Sequence, residues 1–229
     1  MTYTFDELSA AKYVARRVAA VEAKGISLKL LSDFDHLREV VGETTGRAPL
    51  TPIFDNRVSE VGPDNAFWLL GTGADGTVRH LQAVRMDDLV HESLSEFLKR
   101  HGPQLMSPHI PGNPMASDYA ACRYTREMRG RICYHGEVWL SPDGEVRGQG
   151  LSVDLPRIGV AIALLRWHPD FIYGLVHPDL VLKGIPARYG YTHFHPHGIR
   201  WHRTDQPGTL DEYITWMTRQ DMQDMVGAE

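Results

Sequence analysis

Apolar and polar positions alternate along this chain with two different periods, and the period changes mark out its elements. Leu8, Ala11, Val14, Val18 and Val21 recur at helical spacing, behind Thr4-Phe5-Asp6-Glu7, which reads as a capping box, and before Gly25, a stop signal. Ser27–Leu31 is a short strand candidate. Ser32-Asp33-Phe34-Asp35 caps a second helix that ends near Gly42. Residues 43–65 carry Pro49, Pro52 and Pro63 and read as loop. Phe67–Leu70 and Val78–Val84 then form a hairpin across Ala74-Asp75-Gly76-Thr77, where Asp-Gly suits the positive φ of a tight turn. Leu89, Leu94, Phe97 and Leu98 mark a helix that stops at Gly102.

Residues 101–118 hold four prolines and two glycines, either a surface connection or one wall of a pocket. A helix is expected over Asp118–Met128, leading into Arg123, Arg126, Arg129 and Arg131. Those arginines read as a solvated face, or as one or two contacts to a ligand phosphate or carboxylate. Ile132–Leu140 is an apolar, β-rich run. Arg147-Gly148-Gln149-Gly150-Leu151-Ser152 follows it, and a helical run then ends near Trp167. Pro156 places the restart of that helix at its own position, leaving Val153-Asp154-Leu155 between turn and helix. Phe171–Val176 is a buried strand, and another helix starts at Pro178. Thr209-Leu210-Asp211-Glu212 reads as a capping box. Leu210, Tyr213, Ile214, Met217 and Met225 give the last helix, within 207–229, an apolar stripe fit for core packing or a homodimer contact.

With 229 residues, 42% of them hydrophobic, the chain can bury a sizeable core, and one domain over 1–229 is expected because the strands on either side of 101–118 need each other for a sheet. A net charge of −5 argues against a general nucleic-acid partner. Nothing in the sequence reads as a secretory signal or a membrane span, and Cys122 and Cys133 lack metal-pair spacing, so a soluble, reduced, cytoplasmic protein is expected.

A strand, a glycine-rich turn and a helix in succession form an arrangement that binds phosphate, because the turn lets backbone N–H groups approach an anion at the positive end of the helix. Arg-x-x-Gly-x-Ser over Arg147–Ser152 resembles the pyrophosphate loop of the GCN5-related N-acetyltransferase (GNAT) superfamily. The likeness extends over Trp139–Gly150 and to Ala187-Arg188-Tyr189-Gly190-Tyr191 near the end of the domain. It covers about 27–203. The resemblance implies an α/β fold with a mixed, mostly antiparallel central sheet, splayed parallel strands in its middle and flanking helices; here extra N- and C-terminal helices are added. It implies acyl transfer from acyl-CoA, acetyl-CoA or longer, to a small-molecule or peptide amine by direct attack on the thioester, and it leaves an acyl carrier protein open as the donor.

By the same resemblance Leu140, Ser141, Arg147, Gly148, Gln149, Gly150, Leu151 and Ser152 hold the cofactor, in an opening between Ile132–Leu140 and Phe171–Val176. Glu137 and His135, alternating on one strand face, are candidates for the base, with His177 at the end of the second strand as another. The tyrosine that many members use as general acid would fall at Pro186, so Tyr189 is the displaced candidate. Pro142 and Asp154 also depart from the pattern, Asp154 by opposing a pyrophosphate. A catalytically degenerate acyl-CoA-binding or interaction protein is an alternative. A metal-dependent enzyme is another, since His193, His195 and His197 alternate along one run; no metal is expected on the main reading.

Overall fold

The computed structural model describes residues 6–107, 110–143 and 148–227. Among these, eight strands form one sheet in the order β1 (Ser27–Leu31), β2 (Ala66–Thr72), β3 (Val78–Leu89), β5 (Gly130–Leu140), β6 (Phe171–Val176), β8 (Thr209–Thr218), β7 (His193–Arg203) and β4 (Gly112–Asp118). Every neighbouring pair is antiparallel except the central one, β5 with β6. This is the mixed sheet with a parallel pair in its middle that the resemblance implies.

Helices cover both faces. On one side α1 (Glu7–Glu22), α4 (Leu151–Trp167) and α7 (Arg219–Gly227) pack over Phe67, Val84, Cys133, Ile172 and Met217. On the other, α2 (Phe34–Glu43) and α3 (Leu94–Leu105) cover Trp68, Leu81, Ala83, Tyr134 and Tyr173. Two short helices, α5 (Pro178–Leu182) and α6 (Ile185–Tyr189), link β6 to β7. The described residues contain no helix long and apolar enough to cross a membrane.

Several local expectations change. Asp6, not Thr4, caps α1 by accepting from Leu8 N at 3.0 Å; Thr4 lies outside the described residues. α3 runs through Gly102 and Pro103 to Leu105, because its capping box (Ser93 with Glu96) and buried Leu94, Phe97 and Leu98 outweigh the two breakers. The 101–118 segment supplies edge strand β4, although Pro108 and His109 lie outside the described residues. Over 118–128 only a 3-10 turn forms, Arg123–Arg126. Arg123 stacks on Tyr124 and Arg129 pairs with Glu96 at 3.3 Å, as a solvated face would.

The expected helix over 207–229 is strand β8 followed by the short α7. Its apolar stripe is sheet core: Ile214 and Met217 are fully buried between layers. A strand covered on both faces loses the period-2 signature, and this one mimicked a helix. α4 starts directly at Leu151, with Pro156 inside it and buried. α4 is apolar on nearly every side, and its burial offsets the hydrogen bond that Pro156 removes.

Candidate active site

β5 and β6 pair only over Ile132 with Phe171, Cys133 with Ile172 and Tyr134 with Tyr173, and then part. β5 continues to Leu140 alongside β3 alone, so the opening lies beyond Tyr134. A bulge shapes β5 here. Leu81 faces Trp139 and Ala83 faces Gly136, so Glu137 and Val138 together oppose Gln82. Glu137 takes φ 56°, the left-handed region that most side chains avoid.

The bulge corrects the expectation that His135 and Glu137 share a face. His135 points under α4, and Glu137 turns to the opposite side, towards the loop after α2. His135 belongs to a buried chain of neutral groups whose protons the geometry assigns. Gln82 Nε2 donates to Leu155 O at 2.6 Å, which orients the amide. Its Oε1 therefore accepts from His135 Nε2 at 2.8 Å, and His135 Nδ1 accepts from the Tyr191 hydroxyl at 3.1 Å. Gln82 Nε2 also approaches His80 Nε2 at 3.0 Å, leaving His80 Nδ1 to donate to Trp139 O at 2.7 Å. Burial drives His80 down to about 4 and His135 down to about 3, so both rings stay neutral at ordinary pH. With both nitrogens engaged, His135 is poorly placed to take a proton. The chain fits because Gly159 has no side chain: a Cβ there would stand 2.3 Å from Gln82 Oε1.

Glu137 is enclosed differently. Its carboxylate accepts from Arg47 Nη2 at 2.5 Å, from Thr51 N at 3.0 Å and from the Thr51 hydroxyl. Arg47 Nη2 also donates to Glu137 O at 3.2 Å. Both side chains are sheltered, with exposures of 4% for Arg47 and 5% for Glu137. Arg47 and Thr51 lie in the loop between α2 and the 3-10 turn Pro52–Phe54, a segment in which sequence reasoning singled out only the prolines.

At the glycine turn, Gly148 and Gly150 both have positive φ, 81° and 74°. A Cβ at Gly148 would meet nothing within 4 Å, and Gly150 caps α4 without a side-chain hydrogen bond. Arg147 lies outside the described residues. Leu151 is buried at the start of α4, whereas Gly148, Gln149 and Gly150 are exposed and Ser152 is partly so. Leu140 pairs with His80, and buried Ser141 uses its N–H on Arg79 O at 2.8 Å. Asp154 does not stand unopposed: Arg17 Nη1 and Lys24 Nζ from the α1 side reach its two oxygens at 2.6 and 2.8 Å. Lys24 Nζ lies 3.8 Å from where a Gly150 Cβ would be, and a depression of about 350 Å³ opens nearby between Ile26 and Gly73.

The remaining candidates lie as follows. Tyr189 packs against the α4 layer, and burial raises its phenol to about 12. Tyr191, which was not singled out, brings its hydroxyl within 3.2 Å of a Cβ position at Gly174 on β6, beside the opening. The Gly190-Tyr191 pair in the sequence was the available signal. His177 caps α5 by accepting from Asp179 N at 3.3 Å. The three alternating histidines do not converge on one point, although the His195 and His197 rings stay 6.3 Å apart. His193 lies 3.2 Å from Asp221 and stacks on Trp216, His197 pairs with Asp211 at 2.5 Å, and His195 packs edge-on to Tyr124. His197 takes φ 67°, and the β7–β8 register shifts between His195 and Ile199, so Pro196 ends the alternation. No group of three or more potential metal ligands occurs among the described residues.

No family model and no curated protein sequence matches the chain. Solved structures similar to it include Arabidopsis thaliana NAA60 in complex with acetyl-CoA, at 10% identity and TM-score 0.48, covering 84% of this chain and 98% of that one. Another is the dodecameric spermidine N-acetyltransferase from Vibrio cholerae, at 9% identity and TM-score 0.46, covering 86% and 95%. The same enzyme in complex with CoA and spermine aligns at 9% identity and TM-score 0.43, covering 86% and 98%. The ligands and activities in these descriptions are those of the matched proteins.

Proposed function

We propose that this chain transfers an acyl group from acyl-CoA to an amine. The observation that carries the reading is the parting of β5 and β6 after Tyr134, in a sheet where a glycine turn follows β5 and leads into α4. An extended pantetheine arm suits the gap between two parting strands. The uncapped N-terminus of α4, with Gly148 and Gly150 in open positive-φ conformations, suits a pyrophosphate. Arg17 and Lys24 support the same assignment, since they pair with Asp154 and so remove its objection to an anion at this helix end.

In the reaction, the amine nitrogen attacks the thioester carbonyl, a C–N bond forms and the C–S bond breaks. The nitrogen gives up a proton, and the thiolate takes one to leave as free thiol. Glu137, on the α2 side of the opening, is assigned to the amine proton, and its contacts to Arg47 and Thr51 hold the carboxylate in place. His135 serves by position. The hydroxyl assigned to the thiolate is that of Tyr191 rather than Tyr189, because it lies beside Gly174; its proton turns from His135 Nδ1 to the sulfur as the thiolate leaves.

The test is a thermal shift with acetyl-CoA and longer acyl-CoAs on the parent and on Gly150→Asp. Ligand that binds only the folded state raises the melting temperature. An aspartate there would meet Lys24 but sit at a positive φ, at a cost of about 1–2 kcal/mol, so the variant is expected to fold with a lowered melting temperature and to repel the pyrophosphate. A rise in the parent that the variant loses supports the reading; a folded parent that no acyl-CoA stabilises sinks it.

A further inference from the structure

Helix α1 precedes the stretch in which the chain resembles the acetyltransferase superfamily, yet its C-terminal end stands at the phosphate turn. Lys24 Nζ lies 2.8 Å from Asp154 Oδ2 and 3.8 Å from where a Gly150 Cβ would be. Its side chain keeps 29% of its surface exposed, so the ammonium is both held and reachable. An ammonium carries three N–H donors, and a bond to Asp154 engages one of them. Arg17, the more enclosed of the two cations, takes the other Asp154 oxygen at 2.6 Å. Asp154 therefore keeps a cation of its own when Lys24 also meets an anion at the turn.

Just past Lys24 the chain turns into β1. There Glu22, Ile26 and Ser27 face Thr72, Gly73 and Ala74 of the β2–β3 hairpin across the depression of about 350 Å³. That volume lies within the range of small-molecule sites, roughly 300–1,000 Å³. Ile26 packs in one buried cluster with Leu151, the residue after Gly150, which sets the depression beside the turn. Gly73 presents no side chain and Ile26 is apolar, so a flat ring can lie close to the backbone here. The hydroxyls of Ser27 and Thr72 suit polar ring edges or a sugar. Glu22 accepts from an amino or hydroxyl group and opposes a phosphate, so the depression favours the neutral part of a nucleotide and Lys24 the charged part.

We propose that the end of α1 holds the nucleotide end of the coenzyme, with Lys24 on the pyrophosphate and the depression receiving the adenosine. This rests on the acyl-CoA reading of the same turn, and it gives the added N-terminal helix a part in binding.

The experiment is calorimetric titration of the parent and three variants with CoA and with 4′-phosphopantetheine, which ends at the first phosphate and lacks the adenosine. Lys24→Gln is expected to weaken CoA binding about tenfold, as loss of a charge-assisted contact would. Ala74→Trp places an indole in the depression and is expected to weaken CoA by about as much, while 4′-phosphopantetheine binds this variant and the parent alike. Lys12→Gln removes a cation from the same helix about three turns back and should bind CoA as the parent does. Ala74 is exposed at the hairpin tip, so Ala74→Trp carries the test should Lys24→Gln fail to fold.

CoA binding that is unchanged in either Lys24→Gln or Ala74→Trp overturns the proposal and leaves the acyl-CoA reading standing. A loss in Lys12→Gln equal to that in Lys24→Gln also overturns it, by making the effect one of net charge. So does an Ala74→Trp variant that weakens 4′-phosphopantetheine as much as CoA, since the indole would then be acting on the turn itself. A folded parent that binds no CoA removes the acyl-CoA reading, and this proposal with it.

Discussion

On the α4 side of β5, His80, Gln82, His135 and Tyr191 lie in a buried row in which each member is neutral and hydrogen-bonded to the next. Two residues after His135, across the bulge and on the α2 side, Glu137 and Arg47 are equally sheltered but form an ion pair, with part of the guanidinium unpartnered. The neutral row has the character of architecture. Complete hydrogen bonding in a low-dielectric layer fixes a single arrangement, and it gives α4 a defined seat on the sheet. The ion pair is charged and incomplete: Arg47 Nε and Nη1 are enclosed without a partner, and Glu137 alone fixes the guanidinium. The side chains are sheltered on both sides, so what separates the two is charge and whether the polar groups are complete.

The sharpest way to break that contrast is to remove one charge. Arg47→Met leaves Glu137 sheltered without its cation, and a loss of about 3–5 kcal/mol is expected from denaturant unfolding. Pairing it with Glu137→Gln should recover most of the loss. A single variant as stable as the parent would mean the pair is solvated and the contrast false.

The neutral row makes its own prediction, in pH. The folded state holds His80 and His135 near 4 and 3, below the ordinary 6.5, so the unfolded chain binds more protons as the solution is acidified. Stability contributed by their neutrality is fully present above about pH 6.5 and is lost as pH falls towards the folded values. By about pH 5 each histidine should have cost about 2 kcal/mol, or about 4 together. Urea titrations across that range check this, and His135→Gln should flatten about half of the slope. A stability flat down to pH 5 would show that the rings are solvated.

Gly159→Ala tests the fit of the row against α4. The added Cβ would meet Gln82 Oε1 at 2.3 Å, and displacing that amide frees His135 Nε2 as well. Overpacking together with a lost buried hydrogen bond predicts about 3 kcal/mol of destabilisation. An unchanged melting curve would mean that α4 can lift away without disturbing the row.

These features were unequally legible in the sequence. The order of β5, glycine turn, α4 and β6 could be read because each element carries a local signal: a β-branched and aromatic run, two glycines, a long apolar stretch. The central parallel pair came from the family resemblance that this order carries. The bulge could not be read. Simple alternation puts His135 and Glu137 on one face, and nothing in Gly136-Glu137-Val138 announces that Glu137 adopts a positive φ. Arg47 was hidden for a related reason. It sits 90 residues from Glu137 in a loop with no periodicity, and only the tertiary fold brings the two together. Asp154 looked like an obstacle because its partners Arg17 and Lys24 are equally remote in sequence. β8 was misread because its apolar positions happen to match a helical stripe.

The smallest effect expected comes from the end of the neutral row. Tyr191→Phe removes one hydroxyl and leaves His135 Nδ1 without its donor. The ring cannot respond by taking a proton, because its burial disfavours the cation. The outcome is therefore one unsatisfied acceptor against one hydroxyl that no longer needs desolvating, a net loss of about 1 kcal/mol. Nitrogen NMR of histidine-labelled protein separates this from a general loosening. His135 should stay protonated on Nε2, because Gln82 still accepts there, while the Nδ1 resonance moves to that of an unbonded imine nitrogen. If the tautomer reverses instead, the proton on His135 was set by Tyr191 rather than by Gln82. The row would then be oriented from the β6 side of the opening, where Tyr191 stands beside Gly174.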